Sequence, residues 1–189
     1  GIGKGARVGF VFGNGPGFAT MLAAIARIGG VAVPISTMIR ANELVRVLRQ
    51  SDIAGLILQR KFMGYDYAQR LCEALPELNE CGPELRLAKA PFLRWIVTSG
   101  DDLPQSIQPM DFLTKAAASV SEELLIEAES EVHPADQMVE IYTSGSMALP
   151  KGVRHLHGPM MFRAGYLSGE AKFEPGKEAY AMLPMFWIG

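Results

Sequence analysis

Short apolar runs alternate along this chain with stretches in which apolar residues recur every three or four positions, and the two patterns predict strands and helices in turn. The run RVGFVF, Arg7 to Phe12, is β-branched and aromatic and lies between glycines, so it predicts a buried strand. Phe18, Met21, Leu22, Ile25 and Ile28 follow at helical spacing. Only Thr20 and Arg27 interrupt that apolar surface, which predicts a helix buried on most sides and ended by Gly29 and Gly30. VAVPI predicts a second strand, Leu44, Val47 and Leu48 mark one face of a helix from Asn42 to Gln50, and AGLILQ, Ala54 to Gln59, predicts a third strand. Parallel neighbours need a crossover of helix length, so this alternation predicts an α/β fold: a mostly parallel β-sheet flanked by helices.

Further on, Tyr65 to Leu75 has the spacing of an amphipathic helix, and PELNECGPELRLAKAP loses periodicity and gains prolines as a surface loop does. RWIVTS predicts a strand and Asp101 to Pro109 a loop. MDFLTKAA and SEELLIEAE predict helices, the second with a solvated acidic face and with Ser119 or Ser121 as its cap. MVEI predicts another strand. Gly158 and Pro159 suit a helix start capped by His157, with Met160, Phe162, Ala164 and Leu167 as its buried side. No internal repeat or low-complexity tract is present.

Composition narrows the function classes. Of the 189 residues 49% are apolar and 20% charged, enough to build a core, and a net charge of -2 lacks the basic footprint that a nucleic acid selects. Cys72 and Cys81 lie apart from any second cysteine pair or nearby histidine, so they predict neither a zinc site nor a disulfide scaffold; they read as structural thiols in a reducing cytoplasm. No apolar run reaches the length of a membrane span, and the start GIGKGARVGF lacks the layout of a signal peptide. The first residue is Gly, and the last residues, LPMFWIG, stop within a motif, which reads as truncation at both ends.

Three glycine-rich segments are candidates for binding phosphate. GNGPGF follows a strand and precedes a helix, as a dinucleotide fingerprint does, but Phe18 stands where the third glycine belongs, Pro16 sits inside the turn, and VPIS offers no acid for a ribose hydroxyl. It reads as a strand-to-helix turn, and GIGKG reads as a turn as well. The third, YTSGSMALPKGV, Tyr142 to Val153, follows MVEI and gathers Thr143, Ser144, Gly145, Ser146 and a Pro150-Lys151-Gly152 turn within a few positions. A polyphosphate needs converging backbone N–H groups, hydroxyl donors and a cation with reach; this segment supplies each type. Unlike a Walker loop, it has Pro150 before its lysine and Gly152 after it. A solvated Ser/Gly loop between strands has the same composition.

The order Tyr-Thr-Ser-Gly-Ser, then Pro-Lys-Gly-Val and His157, resembles the signature of the adenylate-forming (AMP-binding) superfamily, which includes acyl-CoA synthetases, luciferases and peptide-synthetase adenylation domains. GIGKGARVGFVFGNGPGFATMLAAIARIGGVAVPI resembles the early strand-helix-strand segment of that family, and AYAMLPMFWIG the start of its next core motif; between Tyr65 and Gln108 the likeness is faint. The resemblance implies that residues 1–189 are a partial N-terminal AMP-binding domain without its C-terminal domain. It implies ATP-dependent activation of a small carboxylic acid to an acyl-adenylate, then transfer to coenzyme A, with Mg²⁺ assisting. Thr143, Ser144 and Ser146 would hold the β- and γ-phosphates, Gly145 would let the backbone approach, Lys151 would balance charge on the leaving pyrophosphate, and Gly152 would complete the binding set. The family's later motifs lie beyond Gly189, so the resemblance implies that this piece alone does not turn over.

Met147 and Ala148 stand where the family usually has Thr and Gly, and Trp187 where many relatives have histidine near the acyl group. The substitution at Met147 keeps open a relative that binds nucleotide or acyl group without catalysis, and GNGPGF keeps open a dinucleotide enzyme. His155 and His157 have no third ligand nearby in sequence and predict no metal site; His133 reads as a loop residue. The ten methionines suit core gaps better than an acyl site.

Overall fold

The computed structural model describes residues 2–143, 151–170, 176, 178 and 182–187; at Thr143 the description is of the backbone. The predicted alternation is present: β1 (Arg7–Val11), α1 (Pro16–Arg27), β2 (Val31–Pro34), α2 (Ala41–Gln50) and β3 (Gly55–Leu58). After them come a two-residue hairpin, β4 (Lys61–Phe62) and β5 (Tyr65–Asp66), then α3 (Tyr67–Ala74), β6 (Trp95–Thr98), β7 (Gln108–Pro109), α4 (Asp111–Ala117) and α5 (Glu122–Ser130). The described chain continues with β8 (Gln137–Thr143), β9 (Lys151–Leu156) and α6 (His157–Glu170). Seven strands form one sheet in the order β7-β6-β3-β1-β2-β8-β9, parallel except for β9.

Strands β1, β2 and β3 read as continuous apolar runs because both faces of the sheet are covered. Val11, Val33, Leu56, Leu58 and Ile96 pack on one face against Leu44, Val47 and Leu48 of α2 and Leu71 of α3. Val8, Phe10, Ala32, Ile57, Val139 and Ile141 pack on the other against Phe18 and Ile25 of α1. The chain passes from β1 to β2 on one side and returns to place β3 on the other, so loops diverge from the carboxyl ends of β1 and β3. At such a divergence open α/β sheets place their ligands.

Several expectations need correction. Helix α1 buries Phe18, Ile25 and Ala26 but exposes Ala19, Thr20, Ala23 and Ala24, because its outer face is built from small residues rather than core-forming ones. The stretch after α3 is no mere surface loop: Leu78, Leu85, Leu87 and Ala90 are buried, with Ser106 Oγ donating to the Leu78 carbonyl at 2.6 Å. Lys151 and Gly152 lie in a strand rather than in a turn. In α6, Phe162 and Leu167 are 78% and 47% exposed, so the apolar side expected to be buried is open among the described residues. Helix α5 is capped by Ser121, whose Oγ accepts from the Leu124 N–H at 3.1 Å; Ser119 instead donates to Ala116 in α4.

Candidate functional site

The carboxyl edge of the sheet offers two glycine-bearing segments. At the first, GNGPGF, the Gly13 N–H already donates to Gln59 Oε1 at 2.9 Å, and a Cβ on Gly13 would stand 2.3 Å from the Phe62 ring. Gln59 and Phe62 thus occupy the backbone donor and the face that a phosphate would need, and the segment is the strand-to-helix turn expected of it. The same contacts remove the physical basis for reading it as a dinucleotide site. Gly13 is glycine because an aromatic ring packs directly on its Cα.

The second is the connection between β8 and β9. Strand β8 runs parallel to β2, with Val139 opposite Ala32, so Thr143 comes to the carboxyl edge. Strand β9 returns antiparallel and pairs Thr143 with Lys151, Tyr142 with Gly152, Ile141 with Val153 and Glu140 with Arg154. The two strand ends that carry Thr143 and Lys151 are therefore brought side by side at the mouth of this hairpin. Lys151 is exposed and already takes part in an interaction. Ser144, Gly145, Ser146, Met147 and Ala148 lie outside the described residues, and so does Pro150.

What fixes the pitch of the hairpin was not foreseen from the sequence. Along β8, Val139 and Ile141 face one core while Glu140 and Tyr142 face the other. Glu140, only 6% exposed, accepts hydrogen bonds from Tyr142 Oη at 2.8 Å, Gln137 Nε2 at 3.1 Å and Arg7 Nε at 3.4 Å. A buried carboxylate is tolerable only when so partnered. Burial pushes the Tyr142 phenol above its ordinary value; the Ser51 hydroxyl works against that rise and the Glu140 carboxylate adds to it. The phenol thus stays a donor throughout the neutral range. The opposing position on β9 must then be small: a Cβ on Gly152 would lie 2.5 Å from Glu140 Oε1. A lone Glu inside the apolar strand MVEI was the signal that could have revealed this network.

At the far end of β9, α6 begins at His157, whose N–H donates to the Asp136 carbonyl at 3.0 Å, while the Gly158 N–H donates to Pro134 at 2.8 Å. His157 is therefore the first helical residue. Its Nε2 is buried and has no hydrogen-bond partner among the described residues. Burial holds its pKa below the ordinary value, against the pull of Asp136. His155 and His157 join no group of three or more His, Cys, Asp or Glu side chains placed to hold a metal among the described residues. Cys72 and Cys81 are unpaired and pack at the rim of the core; burial raises the Cys72 thiol, consistent with a structural role. Among the described residues no helix is long and apolar enough to cross a membrane.

Comparison with known proteins gives this geometry its context. The family described as AMP-binding enzyme matches residues 1–189. YngI of Bacillus subtilis (strain 168), named as a putative acyl-CoA synthetase, is 32% identical over 158 residues, covering 83% of this chain and 29% of its own length. The mitochondrial medium-chain acyl-CoA ligase ACSF2 of Rattus norvegicus is 25% identical over 185 residues, covering 95% of this chain and 29% of its own. Among solved structures, acetoacetyl-CoA synthetase from Streptomyces lividans superposes with a TM-score of 0.76 at 20% identity, over 100% of this chain and 27% of that one. The chain thus spans less than a third of the length of each of these three proteins.

Proposed function

The chain belongs to the AMP-binding enzyme family, and from that premise we propose that it is a partial N-terminal AMP-binding domain of an acid-thiol ligase that carries the ligase's triphosphate-binding hairpin. In the first half-reaction a carboxylate oxygen of the acid attacks the α-phosphorus of ATP, the bond from that phosphorus to the bridging oxygen breaks, and pyrophosphate leaves. In the second, the sulfur of coenzyme A attacks the acyl carbonyl, AMP departs and the thiol proton is lost. The observation that carries this reading is the pairing of Thr143 with Lys151 at the carboxyl edge, where the sequence between them opens with the hydroxyl- and glycine-rich Ser144-Gly145-Ser146.

On this reading the hydroxyls of Thr143, Ser144 and Ser146 donate to the β- and γ-phosphate oxygens, and Gly145 leaves the backbone open to them. Lys151 meets the negative charge that grows on the departing pyrophosphate. These are positioning and electrostatic roles, which is the form catalysis of phosphoryl chemistry takes. Mg²⁺ would supply counter-charge to the triphosphate, and the described residues contain no cluster of three or more His, Cys, Asp or Glu side chains placed to hold it. Two unpaired thiols support a reducing, cytoplasmic setting.

The test is acid-dependent ATP–pyrophosphate exchange by the intact protein. Lys151→Ala should lower the exchange rate by roughly 10²–10³, the usual cost of removing one preorganised charge-stabilising group. An unchanged rate removes Lys151 from the chemistry. Nucleotide binding without exchange in the wild-type protein would point to a relative that binds without activating.

A further inference from the structure

Among the described residues, the end of the β8–β9 hairpin has little of the sheet's own ladder to hold it. Strand β8 pairs with β2 at Val139, opposite Ala32, while from Glu140 to Thr143 its strand partner is β9. Strand β9 is the last of the sheet, and Lys151, Gly152, Val153 and Arg154 are all exposed, so it takes its place from β8. A two-stranded ribbon is marginal by itself in water. Its direction is therefore set by whatever ties the end of β8 to the body of the sheet.

Side chains make that tie, and on the face of α2 it is polar. Glu140 Oε2 accepts from Arg7 Nε at 3.4 Å and from Gln137 Nε2 at 3.1 Å. Arg7 is rooted at the centre of the sheet: it lies in β1 opposite Val31, and its carbonyl accepts the Ala54 N–H at 2.9 Å. Because the strand order is β1-β2-β8, its guanidinium reaches past β2 to the carboxylate. The other carboxylate oxygen, Oε1, accepts the Tyr142 hydroxyl at 2.8 Å, and it is the atom that leaves no room for a Cβ on Gly152, opposite Tyr142 on β9. One carboxylate thus joins the centre of the sheet through Oε2 to both strands of the hairpin through Oε1.

We propose that Glu140 is a positioning residue for the triphosphate: through Tyr142 and Gly152 it sets the line along which Thr143 and Lys151 leave the sheet, and so where the hairpin presents its phosphate-binding groups. This rests on the triphosphate reading of the hairpin for its ligand, though the tie itself does not. Tyr142 directly precedes Thr143 and Gly152 directly follows Lys151, so a change of pitch at Glu140 reaches both within one residue. Glu140 touches no phosphate; it acts through the hairpin. A bare negative charge beside a triphosphate would weaken its binding. Buried against Arg7, the carboxylate is countered, and its part is geometric.

The experiment uses the intact protein with Glu140→Ala, Glu140→Gln and Tyr142→Phe. Hydrogen exchange read by mass spectrometry on peptides covering 151–156 tests the tie without ligand or activity. Glu140→Ala should quicken that exchange by roughly ten-fold, the worth of one hydrogen bond to a charged group. Glu140→Gln keeps an oxygen that accepts from Tyr142 and should stay close to wild type. Calorimetry with a non-hydrolysable ATP analogue should show binding weakened by roughly ten- to hundred-fold in Glu140→Ala, as a displaced positioning element brings. In pyrophosphate exchange the KM for ATP should rise by the same factor with the KM for the acid unchanged, and Glu140→Gln should restore both ATP readouts. If Glu140→Ala does not fold, Tyr142→Phe carries the same comparison, because it leaves the carboxylate bonded to Arg7 and removes only its hold on the hairpin. Unaltered hydrogen exchange overturns the tie. Quickened exchange with unaltered ATP binding, or with equal rises in KM for ATP and acid, overturns the positioning role, and so does Glu140→Gln as weak as Glu140→Ala. A wild-type protein that binds the analogue but shows no acid-dependent pyrophosphate exchange removes the ligase reading, while the binding arm still decides the role of Glu140. If the wild-type protein does not bind the analogue, the phosphate site and the positioning role fall together.

Discussion

Replacing Gly152 by alanine perturbs the hairpin at one atom, and its effect can be worked out from its neighbours. The backbone there is not in the left-handed region, so alanine meets no conformational penalty; in a strand it would even gain about 0.5–1 kcal/mol over glycine. The added Cβ would, however, lie 2.5 Å from Glu140 Oε1 and 3.1 Å from its Cδ. That is about 1 Å short of ordinary contact, so the carboxylate must retreat. Such a shift takes Oε1 out of reach of the Tyr142 hydroxyl that now donates to it at 2.8 Å. A hydrogen bond to a charged group is worth about 1.5–3 kcal/mol, and overpacking typically costs about 1–3 kcal/mol, so Gly152→Ala should destabilise by about 2 kcal/mol. In a Glu140→Ala background the obstacle is gone, and the same substitution should be neutral or stabilising by up to about 1 kcal/mol. Chemical denaturation of the intact protein carrying each single variant and the pair gives the coupling directly. Equal losses in both backgrounds, or no loss beside Glu140, would refute the account of why this position is glycine.

Other expectations follow from the same network and its surroundings. Tyr142→Phe removes a donor from a buried carboxylate that keeps two others, Gln137 and Arg7, and should cost about 1–2 kcal/mol in stability, read by the same denaturation series. His157 has a pKa below its ordinary 6.5, so as pH falls through 6.5 the unfolded chain takes up a proton that the folded chain refuses. Stability should therefore be complete above pH 6.5 and decline as pH falls toward the folded pKa, and His157→Gln should flatten that part of a stability–pH profile. Asp136, held low first by its hydrogen bond from Lys4, would add its loss only below its ordinary 3.8, so the two windows separate.

The strands and helices around the central sheet were legible because β1, β2 and β3 are unbroken apolar runs and α2 keeps its apolar residues on one stripe, Leu44, Val47 and Leu48. Patterns at the margins misled for a physical reason. Met160, Phe162, Ala164 and Leu167 have the spacing of a buried helix face, but spacing says only that a face exists, not that something covers it. Likewise Leu78, Leu85 and Leu87 are buried without any period, since irregular chain folded over a sheet fills gaps singly. The Pro150-Lys151-Gly152 turn was inferred from turn-forming residues, whereas the ladder with β8 draws Lys151 and Gly152 into a strand. The hydroxyls, glycine and lysine of the phosphate-binding candidate are visible in the sequence, and of these the structure describes the backbone of Thr143 and Lys151 at the two strand ends. The supports are not visible there: Glu140 with Arg7 spans 133 positions, and no local pattern encodes partners so distant.

The central claim is that the triphosphate of ATP sits at the β8–β9 hairpin. A crystal structure of the intact protein with a non-hydrolysable ATP analogue tests it most directly. The β- and γ-phosphates should lie between Thr143 and Lys151 at the carboxyl edge, with Glu140 still bonded to Tyr142 beneath them. Phosphates seated instead at the turn of Gly13 to Gly15, with Gln59 and Phe62 displaced, would contradict it.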